Sequence, residues 1–490
     1  MKHSIRIRIA ALLFAALTCF CGSSALPICA EDTVPDDYEA KRAAYREALK
    51  ADDVTTDDLL IGSWVSFYSF RVDSFEEQLD QMAAAGINFN VFPRDFGGGK
   101  MHASAYWNNI EKQYAKRNML YLMNGSTDER QVAPGVKYAA GKEHCIGYYV
   151  MDEPAGDALG DVADQVRRYR AADATRYPFV NLLPSYAGYS VLGGTYREHV
   201  SRFVELAGAE NIEYLSHDFY VFEDDHDASG FFADLEVMRS VAYENGKMKT
   251  HAFPQSTSWY GMRMPNIDEM RWNVYAYLAY GFKALTWFNM VCPQGFSVSV
   301  IQGNGTIRDP ELYAAWGELN WEVRGLSSVL MGLDTAHAYH TGRGGGNVER
   351  LPDDFYLQPA DSKSQFIVSC MESKEGDDEY IMLFNKDYNK DEMVGTFTVD
   401  ASSGVRWLEY FDPFIGEYIP VELTDGELTE TFRPGEGKLY RVRRDTPPSE
   451  TVAETSGAPE DKDGCRSAVG VGATAVVAAS VAVVLRKRED

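Results

Sequence analysis

An α/β fold, a (β/α)8 TIM barrel followed by a small C-terminal β-sandwich domain, is what this chain predicts, and three observations carry the prediction. Between about residues 60 and 290, short apolar runs with polar ends recur eight times, each followed by an amphipathic stretch. Helix start and stop signals fall between those runs. From about Asp334 the helical period gives way to short alternating runs cut by Gly, Asp and Asn turns.

The expected barrel strands are Leu60–Ser69, Ile87–Arg94, Met119–Gly125, Ile146–Asp152, Pro178–Ser185, Ile212–Phe222, Met248–Ser256 and Phe282–Met290. Asp36 to Ala51, ahead of them, is charged and helix-prone, a surface lead-in. Ser74-Phe-Glu-Glu77 has the capping-box pattern before Leu79, Met82 and Ala83. Asn266-Ile-Asp-Glu269 repeats it before Met270, Val274, Tyr277 and Leu278, whose spacing makes one apolar helix face. Gly281 closes that helix as a C-terminal glycine does. A doubly wound sheet is the alternative, but it wants a Gly-rich phosphate loop after its first strand. Gly97-Gly-Gly99 follows the second strand and lacks GxGxxG spacing, so the barrel is preferred.

Downstream, Gln365–Met371, Glu379–Asn385, Met393–Val399, Val405–Tyr410, Gly416–Val421 and Lys438–Val442 read as sandwich strands. Asp445 to Gly464 has the composition of a disordered stalk. Gly344-Gly-Gly346 reads as a connector. The expected division is 1–30 signal peptide, 31–54 lead-in, 55–333 catalytic barrel, 334–444 β-sandwich, 445–466 acidic linker, 467–485 transmembrane anchor and 486–490 cytoplasmic tail.

The termini suggest where the chain works. Lys2, Arg6 and Arg8 precede the apolar run Ile9 to Phe20 and the small residues Gly22-Ser-Ser-Ala25, the layout of a secretory signal. Ser467 to Leu485 is uncharged and followed by Arg486-Lys487-Arg488, the pattern of a single span with a positive inner flank. The expectation is a secreted bacterial protein anchored at the cell surface by that span, with no known oligomeric state. A net charge of −26 argues against nucleic acid as a partner, because binding its phosphates needs basic surface. Cys145, Cys292, Cys370 and Cys465 are scattered without CxxC spacing, so no disulfide framework, zinc site or other cofactor is indicated. Asp224-Asp225-His226-Asp227 has oxygen donors for calcium, but a solvated loop is the preferred reading.

In a barrel of this kind the site is built at the C-terminal ends of the strands. Those ends supply Trp64, Tyr68, Arg94, Asp95, Asn124, Asp152, Glu153, His217, Asp218, Tyr220, Gln255, Trp287 and Asn289. Aromatic faces stack on the C–H face of a sugar ring, and carboxylates and amides bind its hydroxyls, so this set suits a glycan. The central stretch is Ile146-Gly-Tyr-Tyr-Val-Met-Asp152-Glu153-Pro154, a strand ending in two adjacent carboxylates. Asp-Glu-Pro is also an ordinary helix start, with an acidic cap and proline in the first turn. Its position on the fourth strand favours the chemical reading. A structural role competes at His217, and turn capping competes at Asp218.

Three segments then resemble the (β/α)8 glycoside hydrolases: Asp152-Glu153-Pro154, Ser216-His-Asp-Phe-Tyr220, and Arg271-Trp-Asn-Val-Tyr with Gly281-Phe-Lys-Ala-Leu-Thr-Trp287-Phe. Gly435-Glu-Gly-Lys-Leu-Tyr-Arg441 resembles the closing strand of the sandwich domains such enzymes carry. Retaining members of this clan usually have Asn-Glu after strand four and a nucleophilic glutamate after strand seven. This chain has Asp-Glu and the amide Gln255 at those places. The adjacent acids are similar to the substrate-assisted N-acetylhexosaminidases of families 20 and 123. The resemblance implies Glu153 as acid/base, Asp152 orienting the substrate acetamido N–H, Tyr220 at the acetamido oxygen and Trp287 around its methyl. Two alternatives stay open: a retaining glycosidase of another sugar with Asp218 or Glu223 as nucleophile, and a non-catalytic glycan-binding protein.

Overall fold

The computed structural model describes residues 37–64, 72–91, 104–225, 227–292, 295–342, 346–389 and 391–447. Eight parallel strands close a barrel in chain order: β1 Leu60–Ser63, β2 Phe89–Asn90, β3 Leu120–Asn124, β4 Cys145–Asp152, β5 Tyr177–Leu182, β6 Tyr214–Asp218, β7 Lys249–Phe253 and β8 Ala284–Trp287, with β8 paired to β1. Side chains alternate across each strand. Leu60, Phe89, Leu120, Leu122, Tyr149, Phe179, Tyr214 and Phe253 fill the interior. Ile61, Tyr121, Met123, Tyr148, Leu215, Ala252 and Leu285 face the surrounding helices. The expected (β/α)8 architecture is therefore present.

The helix over Ile267–Ala279 starts at the expected capping box, with Asn266 accepting from the Glu269 N–H and Glu269 accepting from the Asn266 N–H. Met270, Val274, Tyr277 and Leu278 are fully buried on its inner face. Gly281 follows with φ +82°, and a Cβ there would lie 2.5 Å from the Thr335 hydroxyl. The Ser74 box is corrected: its helix spans Val72–Ala84 and has begun before Ser74. The lead-in forms a helix, Tyr38–Ala51, docked through Arg42 and Arg46 on Glu318 and through the Tyr45 hydroxyl on the Gly325 carbonyl.

Two antiparallel sheets follow. One orders Leu333–His340, Phe366–Ser373, Glu379–Asn385, Gly437–Arg443, Trp407–Asp412 and Glu417–Glu422; the other orders Leu357–Pro359, Met393–Val399 and Glu427–Phe432. Phe366, Ile381, Leu383, Phe397, Leu428 and Phe432 are buried between them. The strands Leu333–His340, Leu357–Pro359 and Glu427–Phe432 were not among those expected. Glu427–Phe432 buries only Leu428 and Phe432 of its six residues, too few to stand out from a polar loop.

The sandwich is held on the barrel by the Ile267–Ala279 helix. Trp272 Nε1 donates to the Lys386 carbonyl at 2.9 Å, and Arg271 to the Pro434 carbonyl at 2.9 Å. Tyr275 and Arg433 both donate to the buried Glu322, at 2.6 and 2.7 Å. Gly435 and Gly437 allow the close approach, because a Cβ on either would lie 2.5 Å from Trp272 or Tyr275.

The expected localisation at a cell surface through a membrane span is corrected: no helix among the described residues is long and apolar enough to cross a membrane. Residues 467–485 themselves, like the signal segment 1–30 and the glycines 97–99, 344 and 345, lie outside the described residues.

Candidate active site

A cavity of about 290 Å³ opens at the C-terminal mouth of the barrel. Asp152, Glu153, Asn181, Asp218 and the tyrosines 186 and 220 supply its polar wall. Trp64, Phe253, Trp259, Met262 and Phe288 supply the apolar one. Trp64 meets Phe253 edge-on with centroids 5.2 Å apart, and Tyr220 meets Trp259 edge-on at 4.9 Å. Edge-to-face packing of this kind fixes the orientation of the rings that line the cavity.

Two adjacent residues in a regular strand point to opposite faces, so local backbone features must bring Asp152 and Glu153 together. Tyr149 pairs with Phe179 and Asp152 with Asn181, three steps on β4 against two on β5. That mismatch is a β-bulge, and it turns Asp152 inward beside Asn181. Glu153 lies just past the strand in a left-handed conformation, φ +46°, with its N–H on the Asn181 carbonyl at 2.9 Å. This geometry carries Glu153 back over the same cavity. A non-glycine residue held there costs on the order of 1–3 kcal/mol.

The helix-start reading of Asp152-Glu153-Pro154 is also corrected. The next helix spans Leu159–Ala172 with Ala158 at its N-cap, so neither acid caps it.

Asp152 accepts from Asn181 Nδ2 at 3.3 Å, and the Tyr149 hydroxyl approaches it without a full hydrogen bond. Burial raises the proton affinity of Asp152, against the opposing effect of Tyr149 and Asn181. Glu153 is raised by burial and by the charge of Asp152, while its contact with Asp218 acts the other way. Both acids reach solvent through the cavity mouth but are walled by protein on their other sides. Asp218, at the end of β6, is fully enclosed and raised furthest, by burial first and then by the charges of Glu153 and Asp152. Asn181 and Tyr220 pull in the opposite direction. The carboxyls crowded at this cavity disfavour one another's ionised forms, Asp152 acting on Glu153 and both acting on Asp218.

Of the expected site residues, Trp64, Asp152, Glu153, Asp218 and Tyr220 meet at this cavity. Asn124 stands at the mouth on β3, paired in register with Tyr149, and its buried side-chain amide has no hydrogen-bond partner. Tyr68, Arg94 and Asp95 lie outside the described residues. Three expected ligands lie elsewhere. His217 falls between the inward-facing Ser216 and Asp218, so it points outward and binds the Tyr196 hydroxyl through Nδ1 at 2.9 Å. Trp287 also faces outward, donating to Asn320 at 2.8 Å and packing on Trp316. Gln255 spends its amide on backbone groups of Phe222, Thr257 and Arg263, bracing the loop after β6. Glu223, the alternative nucleophile, is not among the lining residues. In the acidic loop, Asp227 is engaged by Arg263 and Tyr388.

Asn181, Tyr186, Phe253, Trp259, Met262 and Phe288 were not anticipated. Asn181 carried a signal, as the polar residue late in strand five, but the expected strand ran on to Ser185. Trp259, Met262 and Phe288 come from loops whose path depends on the turn at Gly261, φ +79°, and on pairing between Gln255 and Phe288.

No family model matches the chain, and no curated protein does. Among solved structures it is similar to a glycoside hydrolase family 5 protein from Bacteroides vulgatus, at 11% identity, covering 79% of this chain and 88% of that one with a TM-score of 0.48. It is similar to the β-galactosidase of Bacillus circulans, at 9% identity, covering 79% and 99% with a TM-score of 0.49. A family 27 β-L-arabinopyranosidase from Geobacillus stearothermophilus aligns at 11% identity over 81% and 98%, with a TM-score of 0.46. None of these three names is an N-acetylhexosaminidase, so the particular resemblance to families 20 and 123 gains no support. Likeness at this level leaves activity open.

Proposed function

We propose that the chain is a retaining glycoside hydrolase whose first substrate class is N-acetylhexosamine-containing glycans. The observation that carries this reading is the meeting of Asp152, Glu153 and Asp218 at one aromatic-walled cavity. Glu153 and Asp218 line the same cavity and act on one another's proton affinity. Retention needs a nucleophile, and Asp218 is a poor one: its burial and its two acidic neighbours favour its protonated form over the carboxylate that would attack. A substrate acetamido oxygen fills the role without any protein nucleophile.

In this account Glu153 protonates the departing oxygen and then deprotonates the incoming water. Its raised proton affinity suits both steps, because a general acid works best near the ambient pH. Asp152, in its carboxylate form with one oxygen on Asn181, accepts the acetamido N–H and stabilises the positive charge that develops on the ring-closed intermediate. Tyr220 lines the same wall for the acetamido oxygen. Trp259 and Phe288 replace Trp287 as the apolar surface for its methyl.

The test compares aryl glycosides bearing a 2-acetamido group with their 2-hydroxy counterparts, with and without an N-acetyl thiazoline inhibitor. The expected result is hydrolysis of the acetamido substrates only, with strong inhibition. Equal hydrolysis of both classes without inhibition would transfer the role of nucleophile to Asp218.

A further inference from the structure

The barrel interior holds a continuous file of polar groups running from β8 to Asp152. Thr286 Oγ1 lies 2.7 Å from His251 Nε2, and His251 Nδ1 lies 2.8 Å from Ser216 Oγ. Ser216 Oγ lies 3.0 Å from Asn181 Oδ1, and Asn181 Nδ2 lies 3.3 Å from Asp152 Oδ1. Thr286, His251, Ser216 and Asn181 are each at most 1% exposed. Inward-facing positions of a barrel this size are normally apolar, as Leu60, Leu122 and Phe179 are here. Four successive buried polar groups are costly unless every donor and acceptor is matched.

An ionised Asp152 at one end sets the direction of every bond. An ionised carboxylate only accepts, so Asn181 turns its Nδ2 to Asp152 and its Oδ1 to Ser216. An amide oxygen also only accepts, so the Ser216 hydroxyl donates to it. Ser216 Oγ then accepts from His251, which must carry its proton on Nδ1. Nε2 is left as an acceptor for the Thr286 hydroxyl. Burial first, and then the neighbouring His217, lower the proton affinity of His251, which favours the neutral ring this pattern uses.

From this geometry we infer that Ser216 and His251 are positioning residues, acting through Asn181 to favour the carboxylate form of Asp152 and to turn one of its oxygens along the cavity wall. The inference rests on the proposed role of Asp152, but its structural part does not. If Ser216 loses its hydroxyl, Asn181 Oδ1 loses its donor and the amide is free to turn. Its oxygen then faces the carboxylate, and Asp152 takes up a proton more readily. The other titratable groups facing Asp152 are Glu153, Asp218, Tyr149 and Tyr220; Tyr149 also favours the carboxylate, and Asp218 also meets Asn181.

Two measurements test this on the full chain. Nitrogen-15 NMR of the histidines, with His251 assigned by the signals lost in His251→Gln, is expected to show Nδ1 protonated and Nε2 bare. A proton on Nε2 would overturn the file of bonds whatever the protein catalyses. In Ser216→Ala the acidic limb of kcat/KM is expected to move to higher pH by on the order of half a unit to one unit, and in Ser216→Thr to return. An acidic limb unmoved in Ser216→Ala would overturn the positioning role. Absence of hydrolysis in the unmodified chain would overturn the proposed function instead, leaving the NMR result to decide the relay.

Discussion

At the scale of single residues, the site works by crowding acids. Burial and the charges of Glu153 and Asp152 favour the protonated form of Asp218, against Asn181 and Tyr220. The folded state therefore binds this proton more tightly than the unfolded chain does. Stability from this group is present at low pH and falls as pH rises from the ordinary aspartate range toward the raised folded value. Asp218→Asn removes the titration. Thermal melts at pH 5 and pH 8 are expected to show wild type losing ground to the variant as pH rises. A pH-independent difference between the two would contradict the assignment. Glu153 adds a second local cost through its left-handed φ of +46°, and the bonds of its own N–H and of Asp152 to Asn181 oppose that cost.

At the scale of elements, what decided the site was register more than composition. Reading Ile146–Asp152 as a strand with acids at its end gave the right element, but residue count alone could not reveal the bulge opposite Val180. Only pairing with β5 shows that Asp152 faces inward. The same two-residue period explains why His217 and Trp287 point away from the cavity: each sits one place off an inward position, and strand ends chosen by residue type ignore that parity. Helix signals were more legible, because a cap is local chemistry. Asn266→Ala removes the acceptor for the Glu269 N–H and is expected to cost about 1 kcal/mol in chemical denaturation. Asn266 is not among the residues that line the cavity, so hydrolytic rates in that variant are expected to stay unchanged.

At the scale of the molecule, the eight-strand barrel and the change of character near Asp334 were readable because apolar periodicity is repeated many times over. The loops that complete the site were not readable, because Trp259, Met262 and Phe288 converge only through tertiary contacts. Barrel and sandwich share one interface, centred on Glu322 with Tyr275 and Arg433. Glu322 is 3% exposed, so it depends on those partners. Arg433→Met leaves that carboxylate without its cation and is expected to destabilise the fold by on the order of 3 kcal/mol, measured by denaturant unfolding. Combining it with Glu322→Gln is expected to recover part of the loss. Strictly additive effects would mean the pair does not join the two units.

The central claim is that Glu153 gives a proton to the departing oxygen, and leaving-group dependence tests it most directly. For Glu153→Gln, kcat/KM is measured on a series of aryl 2-acetamido glycosides whose phenols range from acidic to weakly acidic. The expected result is a loss that is small for the most acidic phenol and at least about 100-fold for the least acidic, which needs the proton most. A variant that hydrolyses the whole series at the wild-type rate would contradict the account.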